Sequence, residues 1–113
     1  EGGECMPSAS EVRDLLVPHL MGKLFSGTSE LTVTGLGVVE HRRTFTLVVE
    51  LEAFQQRWRV RLESDRQQMA IFNGQPPHHL VRGIANDFRI RLFEWWDTKD
   101  GDRQAAKLGE RLD

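Results

Sequence analysis

The sequence predicts an α+β fold. It begins with an N-terminal helix, continues as a four-stranded antiparallel meander (order 1-2-3-4) over residues 31–72, and ends in one long and one short C-terminal helix packed on one sheet face. Three observations carry this expectation. Apolar residues recur at helical spacing on both sides of the central region. Between Phe45 and Leu62 two runs alternate at period two, the signature of half-buried strands. The charges between those apolar positions also fall opposite one another in a single register.

The elements follow in chain order. Ser8-Ala9-Ser10-Glu11 reads as a helix start, with Ser8 as N-cap and Glu11 closing a capping box. Val12, Leu15, Leu16, Leu20 and Leu24 then mark one helical face, and Gly27 closes the segment. Pro18 lacks an amide donor and crowds the carbonyl of Asp14, which predicts a kink or two short helices meeting at Val17-Pro18.

In the central hairpin, Phe45, Leu47, Val49 and Leu51 face Trp58, Val60 and Leu62 across a loop of Ala53-Phe54-Gln55-Gln56. Leu51 then pairs with Trp58, Val49 with Val60 and Leu47 with Leu62. The same register sets Glu52 opposite Arg57 and Glu50 opposite Arg59 on the other face. A slip of one residue would bury the charges and expose the apolar set. Upstream, a turn around His41-Arg42 places Val38 opposite Phe45 and Leu36 opposite Leu47. The inward parity changes between Val33 and Leu36, so a β-bulge is expected near Gly35. Downstream, Glu63-Ser64-Asp65-Arg66 reads as a turn that returns Met69 opposite Val60 and Ile71 opposite Trp58.

Asn73-Gly74-Gln75-Pro76-Pro77 ends the sheet and leads into a helix from about His78 to Asp97. Leu80, Val81, Ile84, Phe88, Leu92, Trp95 and Trp96 form its apolar stripe, with Ile90 and Phe93 off it. Phe88, Ile90 and Leu92 also alternate with Arg89 and Arg91, but the helical period spans about four turns and outweighs five alternating residues. A short third helix is expected from Gln104 to Leu112, with a frayed end.

Size and composition bound the class. At 113 residues, 39% hydrophobic and 28% charged, the chain suits one soluble globular domain over residues 8–113. Residues 1–7 read as a flexible leader. The start, Glu1-Gly2-Gly3-Glu4, has no Met and no signal-peptide character, and reads as a remnant or a piece of a longer chain. A net charge of -2 does not suit a strongly basic nucleic-acid binder. No apolar run is long enough for a membrane span. The single cysteine, Cys5, permits no intrachain disulfide and points to a reducing, cytoplasmic setting.

Candidate chemistry is sparse. His78 and His79 are adjacent, so on a helix their side chains diverge by about 100° and do not converge on one metal. His19, His41 and Cys5 lie far apart in sequence. No nucleophile elbow and no phosphate-loop pattern is present, so the expectation is a protein without a catalytic site, metal or cofactor. Arg57, Arg59 and Arg61, with Arg66 nearby, line the sheet face away from the core, and such a stripe could follow a nucleic-acid backbone. Base-stacking sheets also present two or three aromatics, and here only Phe72 is offered, among Glu50, Glu52 and Glu63.

The element order, with Gln75-Pro76-Pro77 after the fourth strand, is similar to that of RWD domains and their ubiquitin-conjugating relatives. RWD domains usually carry Tyr-Pro at that point, and this chain has no Tyr. The conjugating enzymes need a Cys after the fourth strand, and none occurs there. Secretion-chaperone and immunity-like modules share the order, so no site residues carry over.

The functional expectation is a non-enzymatic protein-protein interaction module, self-association included. Ile90, Phe93, Trp95, Trp96 and Phe72 are its candidate contact residues, since large apolar side chains outside the core mark interfaces. Val39 and Val48 also point away from the predicted core. The alternative is a nucleic-acid-binding domain using Arg57, Arg59, Arg61 and Arg66, and an enzyme with an unrecognised site is third.

Overall fold

A computed structural model describes residues 8–112; the expected leader lies outside them. Helix α1 (Ala9–Leu20) starts on the capping box that the sequence announces. The Glu11 amide donates to Ser8 Oγ at 3.2 Å, and the Ser8 amide donates to Glu11 Oε1 at 2.9 Å. Val12, Leu16 and Leu20 form its buried stripe. Ser8→Ala is expected to cost about 1 kcal/mol in chemical denaturation, because the first turn loses its side-chain acceptor. An unchanged midpoint would mean that this cap contributes nothing.

The helix continues through Pro18 as one element, but stops at Leu20 rather than reaching Leu24. Gly22, with φ +94°, turns the chain into β1 (Gly22–Ser26). Leu24 is buried while Lys23 and Phe25 are exposed, so the segment is an alternating strand. Leu24 fits helical and strand periods equally well, which hid this strand in the sequence.

The remaining strands are β2 (Ser29–Glu40), β3 (Thr44–Ala53), β4 (Gln56–Asp65) and the short β5 (Gly109–Arg111). All pair antiparallel in the order β1-β2-β3-β4-β5. The β3–β4 register is the predicted one: Leu51–Trp58, Val49–Val60 and Leu47–Leu62 inward, Glu52–Arg57 and Glu50–Arg59 outward. The connecting turn is tighter than expected, with Ala53 paired to Gln56 and both Phe54 and Gln55 at positive φ. That backbone matches strand twist but is unfavourable for residues other than glycine, asparagine or aspartate. The predicted bulge occurs between Val33 and Gly35.

Two details of the meander differ from expectation. Leu36 pairs with Val49 and Val38 with Leu47, because the turn centres on Arg42-Arg43, one residue later than expected. A one-residue move of the turn shifts register by two, so both residues keep their faces. The segment after β4 is also not a strand. It forms a short helix, α2 (Arg66–Met69), and a 3-10 turn at Ala70–Phe72. The place expected for Met69 and Ile71 is taken by β5, which pairs Gly109 with Val60 and Arg111 with Trp58. Two alternating apolar residues were too few to outweigh the helix-forming run Arg66-Gln67-Gln68-Met69.

Helix α3 (His78–Thr98) and α4 (Arg103–Leu108) complete the chain, and α4 runs directly into β5 instead of fraying. Helix α1 packs on β2 and against α3, while α3 also meets β4. The core joins Phe45, Leu47, Val49, Leu51, Val60 and Leu62 of the sheet to Val81, Ile84, Phe88 and Leu92 of α3. Phe45 meets Phe88 edge-on at 6.3 Å. Arg13 Nε donates to the Leu36 carbonyl at 2.7 Å, fastening α1 to β2. No helix of the described residues is long and apolar enough to cross a membrane.

Candidate functional site

Three of the five expected contact residues are core residues. Phe72 is 1% exposed, Trp95 2% and Phe93 5%. Phe72 is carried inward by the 3-10 turn that replaces the expected strand. On α3, Phe93 is buried beside the stripe residues Phe88, Leu92 and Trp95, so the buried arc is wider than the stripe read from spacing. Ile90 is exposed, but Leu80 of the expected stripe is exposed as well. Trp96 is half-buried and stacks on Phe54 at 5.5 Å, while Lys99 Nζ lies 4.1 Å from its ring centroid. The ammonium also lies 5.4 Å from Trp58, so these aromatics and Lys99 fasten the end of α3 to β4.

The arginine face is built as an ion-pair ladder. Arg59 Nη2 donates to Glu50 Oε2 at 2.8 Å and Nε to the same oxygen at 3.1 Å. Glu110, delivered by β5, reaches Arg61 at 3.5 Å and Arg59 at 4.0 Å. Arg57 stands opposite Glu52 in the register. The Arg66 side chain lies outside the described residues. With Phe72 in the core, the aromatic offered for base stacking is absent from this face. Glu110 was missed because nothing local in Gly109-Glu110-Arg111 marks it as a strand.

A different place gathers unbalanced charge. Helix α3 and His19 of α1 border an open cavity of about 400 Å³ lined by His19, His79, Arg82, Gly83, Asn86 and Arg89, and also by Ala85. No carboxylate lines it among the described residues. Two other depressions mix acids with cations: Glu30 and Glu52 with Arg57 in one, Glu63, Asp65 and Asp87 with Arg91 in the other. Arg89 is anchored, its Nη1 donating to the Phe25 carbonyl at 2.8 Å and its Nε and Nη2 to Asn86 Oδ1 at 3.1 and 2.8 Å. The His19 and His78 rings are 5.3 Å apart. Burial, then the charges of His78 and Arg82, hold the His19 imidazolium below its ordinary pKa. Among the described residues no group of His, Cys, Asp and Glu could hold a metal ion.

The sign of that shift makes a prediction. The unfolded chain titrates His19 near 6.5 and the folded chain lower, so the unfolded state binds more protons between those values. The stability linked to His19 is therefore complete above the unfolded value and is lost as pH falls through the folded one. The groups facing His19 are His78, His79, Arg82 and Arg89 of α3. Urea titrations across this range should show a loss on acidification that is smaller in His19→Gln. An identical pH slope in the variant would refute the assignment.

Compared with known proteins, the chain matches no family model, no curated protein and no solved structure.

Proposed function

We propose that this domain is a non-enzymatic protein-binding module that docks a partner on the side formed by α1, β1 and α3. The observation that carries the reading is a set of exposed apolar residues on the segments that border the cavity between the helices. Phe25 is 58% exposed, and its carbonyl is held by Arg89 of the cavity wall. Met21 follows α1, Leu80 is next to His79, and both are also exposed. Apolar side chains beside a concave polar centre suit recognition of another chain. This reading moves the interface from the outer face of α3, where Ile90 stands between polar neighbours, to its α1 side.

The test is site-specific photo-crosslinking in cells. A crosslinker at Phe25 or Leu80 should capture a discrete partner, and the same group at Val39 on the open sheet face should not. Capture of a second copy of this chain would identify the partner as self. Equal capture at all three positions, or none at Phe25 and Leu80, would overturn the reading.

A further inference from the structure

We propose that the cavity between α1 and α3 is an anion site that receives the carboxylates of an acidic peptide segment, with Arg82, His19 and His79 as its contact groups. The inference rests on the partner-binding reading and names the chemistry of the partner.

The charge arrangement carries it. Arg82, Arg89, His19 and His79 converge on one cavity without a lining carboxylate, in a chain whose net charge is -2. On the sheet face, by contrast, Arg59 and Arg61 have Glu50 and Glu110 beside them. Arg82 makes no hydrogen bond or ion pair among the described residues, so its planar donor fork is available for a carboxylate. Arg89 is held by Phe25 and Asn86 and forms a fixed positive wall. Gly83, facing the same space without a side chain, leaves room for the incoming group.

Crowding of like charge is unfavourable while the cavity holds no anion, and an anion reverses its sign. Ligand binding should therefore draw a proton onto His19. The groups facing it from α3 are His78, His79, Arg82 and Arg89, and β1 adds the Phe25 carbonyl through Arg89. Affinity should rise as pH falls through the histidine range, until the peptide's own carboxylates protonate. Met21, Phe25 and Leu80, exposed on the segments that border the cavity, favour a segment that alternates acidic with apolar residues over a free oxyanion.

The probe is an acetylated, amidated heptapeptide of alternating glutamate and leucine, titrated into the intact chain at low salt. Saturable NMR shifts are expected at His19, His79 and Arg82, and the glutamine counterpart of the peptide should produce none. Arg82→Gln, at an exposed position, should keep the thermal midpoint and weaken binding about tenfold, the scale of one charge-assisted hydrogen bond. Inorganic phosphate should shift the same signals only weakly. The proposal is overturned if the shifts fall elsewhere, if Arg82→Gln binds as the parent does, or if phosphate binds and the peptide does not. Failure here with retained crosslinking at Phe25 would remove the anion site and leave the module standing. Peptide binding without any crosslinked partner would do the reverse.

Discussion

Replacing Phe72 with alanine is expected to destabilise the fold by about 3–5 kcal/mol, the usual cost of emptying a fully buried phenylalanine site. Phe72 is 1% exposed and belongs to the same cluster as Phe45 and Phe88. The variant loses the transfer energy of the ring and leaves a cavity that the 3-10 turn at Ala70–Phe72 can close only partly. Ile90→Ala is the matched control, since an exposed substitution away from caps and networks stays within about 0.5 kcal/mol. Urea denaturation compares the two directly. If Phe72→Ala does not fold, Phe72→Leu keeps most of the volume and should still lose more stability than Ile90→Ala. Equal midpoints for Phe72→Leu and Ile90→Ala would return Phe72 to the surface and make it a contact residue after all.

The contrast between Phe72 and the central hairpin explains which parts of the fold were legible. From Phe45 to Leu62 two patterns, apolar inward and charged outward, agree on one register across a short loop. The capping box is equally local, since Ser8 and Glu11 are three residues apart in the sequence. Residues 22–26, 66–72 and 109–111 carry too few alternating positions to display a period, so their state is decided by their neighbours. Gly109–Arg111 is a strand because β4 offers it an edge. Phe93, read as off the apolar stripe, was misplaced for a related reason. A helix that meets a sheet, a second helix and a returning strand buries a wider arc than a single stripe predicts. The cationic cavity had no local signal at all. His19 and Arg82 come together only through the packing of α1 on α3, although each residue type was in plain view.

Among the described glycines, Gly109→Ala should meet the most severe clash, because the space for a Cβ is already occupied. An ideal Cβ at this position falls within the van der Waals envelope of Trp95 Cζ2, and lies 2.7 Å from both Cε2 and Nε1. Trp95 has little room to retreat. It is 2% exposed and meets Trp58 and Trp96 edge-on at 5.3 and 5.9 Å. Overpacking of this kind costs about 1–3 kcal/mol, and two routes can relieve it. Either the tryptophan cluster shifts and the whole fold loses stability, or β5 lifts from β4. Lifting would break the hydrogen bond that the Leu112 amide donates to the Arg57 carbonyl at 2.8 Å, and would take Glu110 away from Arg59 and Arg61. Amide exchange separates the routes: a faster Leu112 amide at a nearly unchanged denaturation midpoint reports lifting, and a lowered midpoint reports the core. Trp95→Leu in the same chain removes the clashing ring, so the two substitutions together should cost less than the sum of their separate effects. Strict additivity would mean that Gly109 is tolerated for a reason other than its contact with Trp95. Lifting would also leave the arginine face without Glu110, so any gain in nucleic-acid affinity on Gly109→Ala would show that this carboxylate is what keeps the face from acting as a basic surface.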